Sequence, residues 1–528
     1  MAEKITSDES QRILGRDAQR NNILAARVIA ETVKTTLGPK GMDKMLVDRT
    51  GNIIVTNDGV TILREMEIEH PAAKMIVEIA KTQESEVGDG TTTAVMLAGK
   101  FLENAEKLLD QKIHPTTITK GYRLAEEKAQ EILKTLAIEI NSEAELKKIA
   151  QTAMTGKGAE HLKEKFGEIV VEAVKIIAEK NKAEIQNIKI EKQKGGSISD
   201  TELIRGIVLD KEKISIDMPD KVENAKIALI EEALEIRKTE NESRFSISSP
   251  ESFQQFLNKE DEILKSKFEQ VKKSGANVLF AEKGIDELIQ YYLGKEGIFT
   301  IQRISKEDMQ NLARATGAKI SKLSELTDGD LGFAELVEEK KYGENSMTYI
   351  TGCKNPKALT ILIRGGTEHV IDEIERAIRD ALGDVSAVIK DSKVVAGGGA
   401  IEIELSKQLK EFAKTFKGRE RLAVEEFASA LEFIPSTLAE NAGMDPIDIL
   451  TELRASHDAN NRNFGLNLFN NKIEDTLQQG IIEPLKVKTQ AVASATEVAI
   501  IILRIDDVIA ARKSGNGMGK VGEMREYD

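Results

Sequence analysis

Length, composition and charge exclude several classes of protein. The 528 residues predict about three domains, and the formal net charge of −14 argues against non-specific nucleic-acid binding and against docking on an anionic membrane. The only cysteine, Cys353, excludes intrachain disulfides and Cys-cluster metal sites, and the lack of a secretion or membrane signal leads us to expect a cytoplasmic protein.

The N-terminal part, to about residue 150, predicts a mainly helical region with one hairpin. Helical periodicity recurs in three stretches, 17–37, 72–86 and 116–136. The first of these helices is expected to stop at Gly38-Pro39. Two β-branched runs, 45–47 and 53–55, predict a hairpin, and a turn that carries Asp58 follows it.

The stretch 87–94 reads Val-Gly-Asp-Gly-Thr-Thr-Thr-Ala and predicts a phosphate-binding turn. Gly88 and Gly90 precede a helical run, with Thr91 as its expected N-cap. The first N–H groups of a helix lack internal partners, and glycines let a phosphate approach them closely. A carboxylate beside phosphates indicates a hard cation, so Asp89 is expected to hold Mg²⁺. These residues alone leave open an ordinary glycine-rich turn with a threonine cap.

The middle of the chain predicts an α/β region. Its short apolar runs are Ile188–Ile190, Ile204–Leu209, Ile227–Ile230, Asn277–Phe280 and Leu359–Ile363, with a helix over 308–316 among them. The loop 151–158 before this region carries Lys157 between two glycines. That lysine either reaches an anion or is a solvated surface residue.

An amphipathic helix is predicted over 251–273, after a loop-like stretch over 241–250. Its apolar positions are Phe253, Phe256, Leu257, Leu264, Phe268 and Val271. It is either a surface helix packed on its own domain or a protruding arm whose apolar edge meets a partner.

The C-terminal part returns to a helical pattern. The helix expected over 369–382 places Asp380 off its apolar stripe. The turn at Gly397-Gly398-Gly399 can bring a ribose or a flat ring against bare backbone, or serve only as a connection. We expect a last helix over 489–511 and a disordered tail over 512–528. The order helical, α/β, helical is typical of a domain inserted in another.

Five sequence blocks occur in order along nearly the whole chain. They are Thr36–Met45, Thr56–Leu63, Gly88–Thr93, Val395–Gly399 and Arg504–Ile509. Each block is weak alone, but their joint occurrence is specific. Together they resemble the signature blocks of group II chaperonins, the family of the archaeal thermosome and the eukaryotic cytosolic chaperonin.

The resemblance implies a multidomain chaperonin fold of α and α+β type. A mainly helical equatorial ATPase domain is expected from 1–145 and 402–528, and a small α/β intermediate hinge domain from 146–212 and 367–401. An α/β apical substrate-binding domain is expected from 213–366. Its helical protrusion, about 241–273, would form a built-in lid and replace a separate co-chaperonin lid.

The resemblance also implies an ATP site with Mg²⁺. Asp58 and Asp380 match the catalytic carboxylates that orient the attacking water, and Asp89 matches the metal ligand. The nucleotide-binding residues that match are Leu37, Gly38, Pro39, Gly90, Thr91, Thr92, Thr93, Lys157, Gly398, Asn467 and Glu483. Among them, Lys157 would sense the γ-phosphate, Gly398 and Glu483 would contact the ribose, and Asn467 would lie near the adenine.

The implied function is ATP-dependent protein folding. Unfolded polypeptides would be enclosed in a double ring of identical or sister subunits, with eight or nine subunits per ring and prefoldin as a further partner. Binding and hydrolysis of Mg-ATP would drive closure. The alternative is a non-hydrolysing scaffold or substrate-binding subunit of a mixed ring. A P-loop ATPase is disfavoured because Gly-x-x-x-x-Gly-Lys-Ser/Thr does not occur in the sequence.

Overall fold

A computed structural model describes residues 10–47, 49–140, 142–158, 160–179, 182–236, 250–343, 345–354 and 356–511. Within these ranges the α-helices are α1 (Gly15–Lys34), α2 (Gly59–Glu65), α3 (Pro71–Glu86), α4 (Thr91–Asp110), α5 (Pro115–Leu136), α6 (Glu143–Met154), α7 (Lys163–Ile177), α8 (Pro250–Lys273), α9 (Glu287–Lys295), α10 (Lys306–Thr316), α11 (Glu368–Asp391), α12 (Ala400–Ala413), α13 (Glu420–Leu431), α14 (Phe433–Asn441), α15 (Pro446–Asp458), α16 (Thr476–Gln479) and α17 (Leu485–Leu503).

The strands in the same ranges are β1 (Ser10–Leu14), β2 (Lys44–Val47), β3 (Ile53–Thr56), β4 (Ile138–Glu139), β5 (Ile188–Lys194), β6 (Glu202–Ile204), β7 (Gly206–Leu209), β8 (Lys221–Ile230), β9 (Val278–Ala281), β10 (Phe299–Ile301), β11 (Ile320–Ser321), β12 (Gly332–Tyr342), β13 (Asn345–Thr351), β14 (Leu359–Gly365), β15 (Lys393–Ala396), β16 (Phe464–Asn467), β17 (Lys472–Asp475), β18 (Ile482–Pro484) and β19 (Asp507–Ala511).

The described residues form two compact units. Unit 1 consists of the described residues within Met1–Ala137, Val395–Gln479 and Val487–Asp528. Unit 2 consists of those within Ile138–Val394 and Gly480–Lys486. Both ends of the chain therefore contribute to one unit. The division into equatorial, intermediate and apical domains remains a prediction.

Three aromatic rings in the core of unit 1 join helices from the two ends of the chain. Phe101 of α4 stacks on Phe427 of α13 with ring centroids 4.2 Å apart, and Tyr122 of α5 packs edge-on against both rings. The Tyr122 hydroxyl donates to the Phe101 carbonyl at 2.7 Å, so its one polar atom is satisfied inside the core. These contacts show that the two helical ends of the chain fold together.

Both ends of the described chain also meet in a small sheet of unit 1. Strand β1 pairs antiparallel with β19, so that Ile13 lies opposite Val508. The predicted last helix is therefore wrong beyond Leu503, because residues 507–511 satisfy their backbone groups in this ladder. The hairpin predicted after the first helix is confirmed, since β2 pairs antiparallel with β3.

The larger sheet of unit 2 has the strand order β10-β9-β8-β12-β13-β7, and β11 pairs with β8. Alternate residues of its strands point to opposite faces. Ile227 and Leu229 of β8 belong to the apolar cluster that includes α10, whereas Ala228 and Ile230 belong to the cluster that includes α8 and α9. Both faces are thus buried, which explains the continuous apolar runs in the sequence.

A second sheet of unit 2 has the order β5-β14-β6. Helices α6, α7 and α11 share one apolar cluster with this sheet, including Phe166, Ile361 and Ile374. The structure confirms that the runs predicted as strands in the middle region are strands and that the predicted helix is a helix. The main difference is that the run Ile204–Leu209 divides into β6 and β7 around Arg205.

The predicted amphipathic helix is confirmed as α8, Pro250–Lys273. Its last apolar positions, Leu264, Phe268 and Val271, are buried in the cluster that covers the larger sheet. The preceding stretch 241–249 and the tail 512–528 lie outside the described residues. Among the helices that the structure describes, none is long and apolar enough to cross a membrane.

Candidate functional site

Helix α4 of unit 1 begins with a glycine in the left-handed region. Gly90 has φ +78° and is the N-cap, and among the residues that the structure describes no side chain caps the helix. The prediction that Thr91 is the N-cap is therefore wrong, and Thr91 is the first helical residue. A Cβ atom at Gly90 would lie 2.6 Å from Cγ1 of Val487, so both conformation and space favour glycine.

The α4 loop, residues Val87–Gly90, is held from the preceding helix. The buried residue Gln83 of α3 accepts backbone hydrogen bonds from Val87 and Gly88 through its carbonyl oxygen, at 3.0 and 3.3 Å. Its side-chain Nε2 donates to the carbonyl oxygens of Asp89 and Val487 at 2.9 and 3.2 Å. The loop that carries the predicted metal ligand is thus fixed on its inner side.

The start of helix α2 lies against the start of α4. A Cβ atom at Gly59 would lie 2.6 Å from Oγ1 of Thr92. Asp58 is the N-cap of α2: its Oδ1 accepts from the Val60 N–H at 3.3 Å, and its Oδ2 accepts from the Thr61 N–H and hydroxyl at 2.9 and 2.6 Å. The structure therefore gives Asp58 a structural role as a helix cap, which sequence reasoning missed.

The predicted residues Leu37, Gly38 and Pro39 form a tight turn after α1. The helix ends at Lys34, earlier than predicted, and the amide of Asn441 donates to the carbonyls of Lys34 and Leu37 at 3.1 and 2.9 Å. A Cβ at Gly38, which has φ +79°, would lie 2.4 Å from a Leu438 methyl group. Asn441 carries no local sequence signal for this contact, because it comes from a distant part of the chain.

The glycine turn Gly397–Gly399 packs backbone to backbone on β16. The Leu466 N–H donates to the Gly398 carbonyl at 2.8 Å, and the Thr476 hydroxyl donates to the Gly397 carbonyl at 3.1 Å. Gly398 has φ +64°, and a Cβ there would lie 2.7 Å from the Leu466 carbonyl oxygen. This part of the site is therefore built from closely packed backbone rather than from side chains.

Asn467, the predicted adenine neighbour, also belongs to β16. Its Nδ2 donates to Glu474 at 2.7 Å, and its Oδ1 accepts from the Phe469 N–H at 3.0 Å. Both ends of this amide thus serve the β16–β17 hairpin. The following residue, Leu468, lies 3.8 Å from a Cβ built on Gly38, so the structure brings the Gly38 turn close to this hairpin.

Buried charges support the C-terminal helices of unit 1. Burial opposes ionisation of Glu404, but hydrogen bonds from His457 and Gln408 outweigh it and lower the pKa of Glu404. Burial likewise opposes ionisation of Glu432, and hydrogen bonds from Arg454 and Lys410 outweigh it and lower its pKa. These carboxylates remain charged inside the unit because each one has fixed partners.

Unit 2 contains the other three predicted site residues. Lys157 lies in the turn after α6 and pairs with Asp380 of α11 through Nζ and Oδ2. Both side chains are mostly buried. Glu483 lies in β18 and is half-buried. The lysine predicted to sense the γ-phosphate and the aspartate predicted to orient the attacking water therefore form a direct ion pair.

The start of α4 can bind an anion together with a hard cation. The helix has no acidic residue in its first turn and no side-chain cap, so its first N–H groups favour negative charge. Asp89 is half-buried beside them, and Mg²⁺ is commonly held by one or two carboxylates and substrate phosphates. A phosphate chain with Mg²⁺ therefore fits this donor set.

Comparison with known proteins identifies the family. The profile of the TCP-1/cpn60 chaperonin family matches residues 29–513. A thermosome subunit of Methanopyrus kandleri is 58% identical over 95% of this chain and 94% of its own length. Thermosome subunit beta of Archaeoglobus fulgidus is 56% identical over 99% of this chain and 98% of its own. The resemblance and the fold class predicted from the sequence are confirmed, and the chain therefore belongs to the TCP-1/cpn60 chaperonin family, as an archaeal group II chaperonin whose action involves ATP.

Proposed function

We propose that this chaperonin subunit binds and hydrolyses Mg-ATP. The observation that carries the proposal is the start of α4, where Gly90 leaves the helix without a side-chain cap and Asp89 stands next to it. Phosphoryl transfer needs positioning and charge stabilisation more than covalent chemistry from the protein. Backbone N–H groups, a metal-holding carboxylate and a water-orienting carboxylate meet that need.

The proposal gives each residue one task. Asp89 would hold Mg²⁺, which supplies charge neutralisation for the phosphates when bound. Asp58 and Asp380 would orient the attacking water, and Lys157 would sense the γ-phosphate. The other phosphate and nucleoside contacts are assigned to Leu37, Gly38, Pro39, Gly90, Thr91, Thr92, Thr93, Gly398, Asn467 and Glu483.

The Lys157–Asp380 pair suggests how turnover is timed. A lysine that pairs with a carboxylate offsets its charge, and the approach of a γ-phosphate would compete for that lysine. Nucleotide binding would thereby release Asp380 for its role toward water. A switch of this kind couples the chemistry to a change of conformation.

In the cell, we propose that the subunit forms stacked rings of eight or nine identical or sister copies and encloses unfolded polypeptides. The intermediate domain would act as a hinge, the segment 241–273 as the lid, and prefoldin as a partner that delivers clients. The single cysteine is compatible with action in the cytoplasm. A non-hydrolysing scaffold is less well supported, because every proposed catalytic carboxylate is present.

The test is steady-state Mg-ATP turnover of the assembled particle, with wild type compared with Asp380→Ala. The matched control is Asp372→Ala, which lies on the same helix and also loses an ion pair to a lysine. We expect turnover to collapse in Asp380→Ala and to remain in the control. No turnover in an assembled wild type would contradict the ATPase proposal, and equal turnover in all three would contradict the role of Asp380.

The lid proposal needs a restricted deletion. Leu264, Phe268 and Val271 are core residues, so a deletion that extends through the end of α8 would damage the fold itself. Replacing residues 241–258 with a Gly/Ser linker removes the first part of the proposed lid and keeps these residues. We expect retained ATP turnover and lost protection of a bound client from protease. Retained protection would contradict the lid assignment.

A further inference from the structure

Gln83 fixes three consecutive residues of the α4 loop. Its main-chain carbonyl accepts from the Val87 and Gly88 N–H groups, and its side-chain Nε2 donates to the Asp89 carbonyl at 2.9 Å. The residue is fully buried, so these bonds are shielded from competing water. The loop therefore has little freedom on the side that faces α3.

The bond to Asp89 determines where the next N–H group points. The Asp89–Gly90 peptide is planar and trans, so its carbonyl and its N–H point in opposite directions. With the Asp89 carbonyl held by Gln83, the Gly90 N–H is directed away from Gln83. Glycine tolerates either orientation of such a peptide, so without Gln83 the plane is free to turn over and present an oxygen instead.

The same amide nitrogen ties the loop to helix α17. Nε2 of Gln83 also donates to the Val487 carbonyl at 3.2 Å, in the first turn of that helix. The next residue, Lys488, pairs with Glu402 at 2.8 Å, and both side chains are buried. Glu402 lies in the first turn of α12, directly after Gly397–Gly399. A hydrogen bond and a buried ion pair thus connect the α4 loop, through the start of α17, to the first turn of α12.

The oxygen of the side-chain amide indicates that a contribution to stability does not by itself explain why glutamine occupies position 83. Its Oε1 is buried and has no hydrogen-bond partner among the described residues. A buried polar atom without a partner lowers stability, so such a group in a folded protein needs another reason. In Gln83 that reason lies on the nitrogen side, where a single group orients two carbonyls.

We propose that Gln83 is a positioning residue for nucleotide binding: its side-chain amide locks the Asp89–Gly90 peptide so that the Gly90 N–H remains available to a phosphate. The proposal rests on the Mg-ATP function proposed above. Gln83 need not touch the nucleotide, and its effect would pass through one peptide plane.

The chain offers a matched control for this proposal. Gln130 of α5 also donates its side-chain amide to a carbonyl of α17, to Thr489 at 3.0 Å, and this hydrogen bond does not involve the α4 loop. Gln83→Met and Gln130→Met each remove one such amide and keep the length of the side chain. Gln83→Leu is a second variant of the same purpose, since its branched apolar side chain has no hydrogen-bond donor.

The experiment measures KM and kcat for Mg-ATP in the assembled particle, together with the melting temperature. We expect Gln83→Met to raise KM by at least about tenfold and to change kcat by less than about threefold, because a misplaced binding group weakens ground-state binding. Gln130→Met should change KM by less than about twofold, even if its melting temperature falls by as much as that of Gln83→Met.

The outcomes separate this inference from the proposed function. A wild type without turnover would overturn both. An active wild type with equal KM in the two methionine variants would overturn the role of Gln83 alone. If Gln83→Met does not assemble, Gln83→Leu is measured in its place, and a KM equal to that of wild type would again overturn the proposal.

Discussion

Helices α2 and α4 of unit 1 begin side by side but satisfy their first N–H groups in different ways. At α2, the Asp58 carboxylate accepts from the N–H groups of Val60 and Thr61. At α4, Gly90 offers no side chain, and within the described part of the chain no other side chain caps the helix. One helix start thus carries its own anion, whereas the other leaves room for an external one.

A helix N-terminus can therefore serve as a ligand site when its cap residue leaves the first backbone N–H groups without a partner. A carboxylate cap stabilises a helix by about 1 kcal/mol and occupies the donors. A glycine cap stabilises the helix only a few tenths of a kcal/mol less, roughly, and it leaves the donors exposed. The sequence contains Asp-Gly at both starts, as Asp58-Gly59 and Asp89-Gly90, but the aspartate is the N-cap of α2 whereas the glycine, with positive φ, is the N-cap of α4.

The largest effect that sharpens the comparison is expected from Asp89→Asn. Loss of the proposed metal ligand should lower Mg-ATP turnover by at least about 100-fold, which corresponds to about 2.7 kcal/mol of transition-state stabilisation. Turnover is measured over a range of Mg²⁺ concentrations, and thermal unfolding provides the control for folding. Wild-type turnover in this variant would remove Asp89 from the site.

A methyl group at the start of α4 should break the site in a different way. Gly90→Ala is expected to destabilise the protein by about 1–3 kcal/mol, because alanine is strained at this positive φ, and to weaken ATP binding as well. Gly443→Ala is the matched control, since Gly443 has φ +72° but none of the described residues places an atom within 4 Å of its Cβ position. Equal ATP affinity in the two variants would contradict a special role of the α4 start.

Two substitutions of Asp58 should separate its role as a helix cap from its proposed catalytic role. Asp58→Ala is expected to lower stability by about 1 kcal/mol, whereas Asp58→Asn keeps a capping oxygen and should lose much less. Both variants should lose ATP turnover if the carboxylate orients water. Chemical denaturation and turnover are measured on the same samples, and normal turnover in Asp58→Asn would leave Asp58 with the cap role alone.

The smallest expected effect is on the stability of the folded protein at acid pH. It involves a residue outside the two helix starts. The pKa of Glu404 is lower in the folded protein than its ordinary value, so its stabilisation is present above that ordinary value and is lost as pH falls through the folded value. We therefore expect a Glu404→Gln variant to lose less stability than wild type between about pH 5 and pH 3. Denaturation midpoints across this range provide the measurement, and parallel curves would contradict the assignment.

Local patterns predicted most elements, because spacing and turn residues report local structure. Helix α3, the hairpin β2–β3 and the buried strands of unit 2 all follow from such patterns. The strand Asp507–Ala511 did not, since its pairing with Ser10–Leu14 joins the two ends of the chain. Long-range pairing leaves no local signal.

The candidate site shows the same limit. The glycines and Asp89 were identifiable because phosphate-binding turns have a local signature. Gln83 and Asn441 were not, because the sequence does not show which carbonyl groups a side-chain amide will reach. The cap role of Asp58 was visible in principle, since an aspartate two residues before an apolar run is a typical helix start.

Hydrogen exchange tests the central claim most directly. The assembled wild type is compared with and without a non-hydrolysable Mg-ATP analogue, and amide exchange is followed at residues 90–94 of α4 and 59–63 of α2. We expect exchange to slow at the start of α4 and to remain unchanged at α2, whose first N–H groups already have the Asp58 carboxylate. Unchanged exchange at α4 in particles with bound analogue would contradict the account.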